Sequence, residues 1–375
     1  MTAIARIEAF PLRYPEPNDA NRDRYVTLAR IETDDGAVGW GECISQWPES
    51  ALAVKTIVER GLVPLLAGKD PTEVRRRWLE MRDHSFWIGM GGTVTFAVSA
   101  VDMALWDVAG KLADVPVHRL LGGKLHDRVR ACASMIWHPG DLEVTAAEFA
   151  ECRDRGFTWI KGGWGRDPDT AFGLDPKRDV AVVAACREAV GENVEISCDV
   201  SARAKWTATH AIEMAKRFEP YRLAWLEDAL HHEDQDGWRR LRAAAPMHLA
   251  TGERCWTVED YRRLVRSDGV DIVLIDPGRA EGLTGMKLAA EDAHNQHVRF
   301  VPHSWSTALN TAAALHVFAS SPNGVVFELK PVPSPMQHEL VRGPFEQVDG
   351  YIEVTDEAGL GVEVDEDVVR KYAFE

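Results

Sequence analysis

From Val129 onward the chain alternates two kinds of segment. Short apolar runs with β-branched and aromatic residues are each followed by a stretch with helical spacing. "VRACASMIW" precedes "TAAEFAECRDRG", "FTWIKGGW" precedes "DVAVVAACREAVG", and "VEISCDV" precedes "TATHAIEMAKRFE". The alternation continues through "LAWLEDAL", "MHLATGE", "DIVLIDPG", "VRFVPHSW" and "GVVFELK". Parallel neighbouring strands can only be joined by a long crossover, usually a helix. About eight such units predict an α/β fold whose parallel sheet closes as a (β/α)8 barrel.

A second regularity rides on the first. "EISCDV" ends on Asp199, "LAWLEDA" on Glu227, "HLATGE" on Glu253, "DIVLIDP" on Asp276 and "RFVPHS" on His303, and "GVVFELK" carries Glu328. These residues lie about 25 positions apart, the length of one strand-plus-helix unit. A single strand-end acid is most often a helix cap or a solvated charge. Six ionisable residues at one phase are different, because the C-terminal ends of barrel strands converge on the face where active sites sit. Three carboxylates meeting there would repel one another without a cation. Hard oxygen ligands with no cysteine or second histidine suit Mg2+ better than zinc.

The flanking segments read differently. "RIEAFPLRY" and "YVTLARIETDDGAVGWGEC" alternate in hydrophobicity, with a hairpin turn at Asp34–Gly36. "SALAVKTIVERGLVPLLAG" and "PTEVRRRWLEMRDHSF" have helical spacing. "TVTFAVSAVDMALWDVAGKLA" predicts a long helix whose Ala97, Ala100, Ala104 and Ala109 allow close packing. The tail from Gly350 is again hairpin-like. The expected organisation is an α+β capping domain over residues 1–126, a barrel over 127–332, and a segment 333–375 that returns to the capping domain.

Composition narrows the function classes. A formal net charge of −16 argues against nucleic acid and anionic membranes as partners. The six scattered cysteines include no C-x-x-C pair and read as buried thiols of a reducing compartment. No apolar run approaches ~18 residues, so no membrane span is expected. The N-terminus lacks a signal-peptide layout, which points to a cytoplasmic location. "SFWIGMGG" and "GGWGRDPDTAFG" are glycine-rich, but neither fits a phosphate-binding loop.

Asp199, Glu227 and Glu253, in the contexts "CDVS", "WLEDA" and "ATGE", resemble the successive strand-end metal ligands of the enolase superfamily. Asp276 in "IDPGRAEGLTG" and His303 in "VPHSW" resemble the Asp–His dyad of its mandelate racemase subgroup, and "VDMALWDVAGK" with "LLGGK" is similar to its capping-domain helix. The resemblance covers nearly the whole chain. It implies Mg2+ on Asp199, Glu227 and Glu253, His303 as general base, Asp276 orienting its ring, and Glu328 bonding the substrate carboxylate. Such chemistry removes a weakly acidic proton beside a carboxylate, and positioned cations stabilise the charge that develops.

The second strand departs from the pattern. Many relatives carry Lys-x-Lys there, whereas this chain has Lys161-Gly162-Gly163. Lys161 falls at the first lysine and is expected to clamp the carboxylate or move a proton. Gly163 falls at the second, commonly the base on the opposite face. Ser201 stands where many relatives have Asn. Arg203 and Lys205 follow, with Arg203 the candidate to contact substrate hydroxyls. Trp47, Trp137, His138, Trp164 and the Arg22/Arg24 and Arg166 stretches are candidates to line or close a pocket.

The expected reaction is Mg2+-dependent dehydration of a sugar acid to a 2-keto-3-deoxy acid. The alternatives are a racemase, epimerase or lactone cycloisomerase, and, in another class, a metal-binding barrel without chemistry. Relatives are often dimers or octamers, so a homo-oligomer is expected.

Overall fold

The structure is a computed structural model, described here for residues 2–138, 141–165, 171–343 and 345–375. A three-stranded antiparallel sheet opens the chain: β1 (Ile4–Glu16), β2 (Arg22–Thr33) and β3 (Val38–Ile44), in that order. The expected turn joins β2 to β3, and Gly36 takes φ +87°, a left-handed value that glycine adopts without penalty. The helix Gly92–Ala113 lies directly on β3. A Cβ on Gly39 would lie 2.4 Å from the Ala104 carbonyl oxygen, and one on Gly41 would lie 2.2 Å from that of Ala100. Bare glycines on the strand and alanines on the helix therefore let the two backbones touch. Val98, Val101, Leu105 and Val108 of this helix are fully buried, each contributing about 2 kcal/mol of apolar burial. By length and composition alone this helix could cross a membrane, but 78% of its most apolar window is buried inside the fold.

The barrel follows as eight parallel strands: β4 (Arg128–Ile136), β5 (Trp159–Gly163), β6 (Glu195–Asp199), β7 (Trp225–Glu227), β8 (His248–Thr251), β9 (Ile272–Ile275), β10 (Arg299–Pro302) and β11 (Phe327–Leu329). Each pairs with the next from β4 to β10, and β11 pairs with β4. Between β10 and β11 the ladder reduces to hydrogen bonds around Phe300, so the barrel is nearly closed. The lower lumen is apolar: Cys132, Trp159, Trp225, Ile272, Leu274 and Val301 pack together, with the Trp159 and Trp225 rings 5.0 Å apart.

The tail touches both layers. β12 (Val341–Arg342) pairs with β14 (Glu363–Val364), while β13 (Tyr351–Glu353) pairs antiparallel with the start of β4. Farther on, Phe374 donates its backbone N–H to Pro11 of β1 at 3.0 Å.

Buried polar contacts hold the small sheet and its helices on the barrel. Asp102 accepts from the Thr284 backbone N–H at 2.9 Å and from its hydroxyl at 2.6 Å. Arg82 bonds Glu281 at 2.7 Å. Glu42 of β3 accepts from the hydroxyls of Ser306 and Thr307, and Lys330 bonds Glu16 of β1 at 2.7 Å. The last two sets join the loops after β10 and β11 to the sheet, and so bring the sheet over the C-terminal ends of the strands.

Candidate active site

Strand register fixes the heights of the side chains. Gly163, Asp199 and Glu227 are successive partners across β5, β6 and β7, so Asp199 and Glu227 stand side by side. Glu253 follows β8, Asp276 and His303 directly follow β9 and β10, and Glu328 lies in β11. All the phased residues therefore reach one end of the barrel. Four of them, Asp199, Glu253, His303 and Glu328, line with Lys161 a cavity of about 650 Å³, counting its opening to solvent, and Glu227 and Asp276 stand behind its wall.

The charged groups form two linked sets. On one side, His303 shares a 2.6 Å hydrogen bond through Nδ1 with Asp276 Oδ2, and a 2.8 Å contact through Nε2 with Glu253 Oε2. Asp276 Oδ1 accepts from the Gly278 backbone N–H at 2.8 Å, which holds the carboxylate behind the ring. Arg279 Nη1 lies 3.7 Å from Glu253 Oε1. Opposite, Lys161 Nζ contacts Glu227 Oε1 at 2.7 Å and Glu328 Oε1 at 2.8 Å. Trp225 Nε1 donates to Glu227 Oε2 at 2.8 Å. Glu328 accepts from the Ser134 hydroxyl at 2.6 Å and the Ser304 backbone N–H at 2.8 Å.

Burial dominates the electrostatics. It pushes the Asp199 carboxyl up to about 7 and that of Glu227 up to about 8. Lys161 opposes both shifts, but it is shared with Glu328, and the neighbouring carboxylates repel. Asp228, also buried, is raised to about 7. For His303 burial favours the neutral ring, yet Glu253 and Glu328 outweigh it and raise the imidazole to about 10. Burial works against ionised Glu253 too, but the adjacent His303 holds it below the usual carboxylate range.

Acids thus outnumber cations at this mouth, and their donor atoms are oxygen. That chemistry fits a hard divalent cation, which would relieve both the desolvation and the mutual repulsion. As the side chains stand, no three His, Cys, Asp or Glu among the described residues are placed to share a metal ion. Glu227 is turned to Lys161 and Trp225, and Glu253 to His303. Asp199 Oδ1 accepts from the Ser201 backbone N–H at 2.8 Å.

The other sequence candidates divide. Trp164 lines the cavity. Trp47, Ser201 and Arg203 line its wider outer opening, where Trp47 is half exposed. Trp137 is buried instead: its ring packs edge-on against Phe172 at 4.7 Å, and its indole nitrogen lies where a Cβ on Gly162 would fall. It belongs to the packing around β5 and not to the cavity wall. His138 faces Glu148, away from the cavity. Arg166 lies outside the described residues. At Gly163, φ is +140° and an added Cβ would meet the Asp199 carbonyl oxygen at 2.1 Å, so this backbone has no room for a side chain.

Sequence reasoning passed over Arg279, Trp305 and Ser134, which line the same cavity. Arg279 and Trp305 sit three and two residues after phased positions, so a signal existed. Gln46, just after β3, belongs to the "CISQW" stretch that the sequence offered beside Trp47 as a closing segment, and it lines the cavity as well.

Comparison with known proteins agrees with this architecture. Residues 144–368 match the enolase C-terminal domain-like model, and residues 17–122 match the mandelate racemase / muconate lactonizing enzyme N-terminal domain model. D-gluconate dehydratase of Thermoproteus tenax is 32% identical, covering 100% of this chain and 75% of that protein. D-galactarolactone cycloisomerase of Agrobacterium fabrum is 30% identical, covering 93% of this chain and 91% of the relative. The crystal structure of 3,6-anhydro-D-galactonate cycloisomerase from Zobellia galactanivorans superposes with a TM-score of 0.90 at 30% identity, covering 100% of both chains. With both family models matched over most of its length, the chain belongs to the enolase superfamily, in its mandelate racemase subgroup.

Proposed function

We propose that the protein dehydrates a sugar acid, with His303 removing the proton from the carbon beside the carboxylate. The observation that carries the reading is the difference between the two faces. His303, aligned by Asp276, borders the cavity on one side, whereas opposite it Gly163 has no room for a side chain and Lys161, the titratable group there, is held between Glu227 and Glu328. One base suffices to take the C2 proton. The 3-hydroxyl then leaves with a proton from the newly protonated imidazole or another acid, and the enol becomes a 2-keto-3-deoxy acid. Racemisation needs groups on two faces.

Members of this superfamily typically use Mg2+, and here Asp199, Glu227 and Glu253 are the residues to hold it. Bound there, it would supply positive charge to the substrate carboxylate as the enediolate develops. Lys161 adds a second cation to that carboxylate, and Glu328 a hydrogen-bonding partner. His303 acts as a base only when Glu253 has released Nε2, because a carboxylate at 2.8 Å keeps the ring protonated. Asp276 stays on Nδ1 throughout and directs Nε2 at the substrate.

A screen of sugar acids with Mg2+, scored for keto acid as the semicarbazone, tests the reading. The expected result is keto acid with at least one substrate, lost in His303→Asn. A second reading, lactone cycloisomerase, is favoured by the two cycloisomerases among the relatives. Deuterium appearing at C2 of an otherwise unaltered or isomerised substrate, with no keto acid, would select it. Absence of both, in wild type and variant alike, would leave only a non-catalytic metal-binding barrel.

A further inference from the structure

The cavity has a second end that this chemistry does not use. Lys161, His303 and the acids rise from the barrel strands. The roof comes from the sheet, where β2 contributes Arg24 and the β3 end contributes Ile44 and Gln46. Arg24 is fixed from two directions. Its Nε and Nη2 donate to Asp19 Oδ2 at 3.1 and 2.9 Å, and Asp19 is buried behind it. Its guanidinium carbon stands 4.6 Å over the Trp305 ring, whose Nε1 is tied to the Ser134 carbonyl at 3.2 Å.

The Asp19 contact occupies one edge of the guanidinium. The other edge, Nη1 with the second hydrogen of Nη2, has no partner among the described residues, and the side chain keeps 13% of its surface open on the cavity. The Trp305 ring lies against it, and Ile44, Met135, Ile136 and Trp164 are the other apolar side chains of the cavity lining. A rigid two-donor fork held over an indole face matches the planar geometry of a carboxylate, and the weak hydration of a guanidinium favours the pairing. A terminal CH2OH offers a single acceptor oxygen and would leave part of that donor edge unmatched.

Resting on the proposed function, and naming its substrate class more closely, we propose that Arg24 on Trp305 binds the far carboxylate of a dicarboxylic sugar acid. The site therefore prefers aldaric over aldonic acids. The test is kcat/KM with Mg2+ on the matched pairs D-galactarate/D-galactonate and D-glucarate/D-gluconate, in wild type, Arg24→Gln and Arg24→Lys.

The wild type is expected to favour the diacid of at least one pair by about tenfold or more. Arg24→Gln should lower the diacid-to-monoacid ratio by about 30-fold or more, mostly through KM on the diacid. Arg24→Lys keeps a charge beside Asp19 but loses the fork, and should lower the ratio by several-fold. It also decides the matter if Arg24→Gln fails to fold. A wild-type preference for the monoacids, or an equal loss on both members of a pair, overturns the inference.

If the wild type neither makes keto acid nor exchanges the C2 proton with any of the four, the proposed reaction fails. Calorimetric titration of wild type and Arg24→Lys with D-galactarate and D-galactonate then decides this inference alone. Tighter diacid binding that shrinks in the variant supports it, and equal binding of the two acids overturns it.

Discussion

The two ends of the barrel lumen are built from the same eight strands and obey opposite rules. At the lower end Trp159, Trp225, Ile272 and Leu274 fill the space with apolar surface. At the mouth the same strands end in carboxylates so buried that Asp199 and Glu227 are harder to ionise than free acids. The lower end stabilises the fold by burial. The mouth spends part of that stability on a set of charges whose ion pairs, Lys161 with Glu227 and His303 with Glu253, only partly offset their desolvation. Trp225 joins the two regimes: its ring packs below, and its N–H holds Glu227 above. Stability and chemistry should therefore separate by height along the strands.

The sharpest break is at the mouth. His303→Asn should lower kcat by about 10³-fold or more while leaving the melting temperature within a few degrees. Residual activity near wild type in a steady-state assay would remove His303 from the chemistry. Trp159→Ala, at the opposite end, should behave inversely. Loss of the ring leaves a cavity and the Ser197 hydroxyl unpaired, destabilising by about 3–5 kcal/mol. Urea unfolding would show it, and a variant as stable as wild type would contradict the contrast.

Metal addition should act on the mouth alone. Millimolar Mg2+ at about 100-fold over its dissociation constant should stabilise the protein by about 2.7 kcal/mol, which is several degrees in a thermal melt. EDTA should abolish turnover. An equal Mg2+ shift in Glu227→Gln would argue that the ion binds elsewhere.

The last effect concerns a buried acid away from both ends. Burial raises Asp102 to about 7, only partly countered by the Thr284 hydrogen bonds. A folded-state value above the unfolded one means that the native protein binds the proton more tightly. Asp102 therefore contributes stability at pH 4 that is lost as pH rises toward 7. Asp102→Asn should flatten that part of the stability-versus-pH curve. Melts at pH 5 and pH 8 check it, and an unchanged slope would show that Asp102 is ionised throughout.

Much of this site was legible without coordinates, and the reason is local. A β/α unit has a characteristic length, so a residue type recurring at one phase must recur at one end of a barrel. That argument places Asp199, Glu227, Glu253, Asp276, His303 and Glu328 on a common mouth. It extends to Arg279 and Trp305, which sit within three residues of phased positions. It could not place Trp137, whose position directly after a strand suits a cavity wall as well as the core. Only the bare Cα of Gly162 shows where the ring goes.

By itself, then, the sequence determined the repeat, the barrel and the height of each ionisable group, because strand and helix periods act over tens of residues. Tertiary structure decided the pairings: Lys161 with Glu227 and Glu328, His303 with Glu253, and Arg24 of the sheet with Trp305 of the barrel. Those contacts join residues as much as 281 positions apart. No local periodicity carries information across that distance, and only the packing of the sheet over the strand ends brings such residues together.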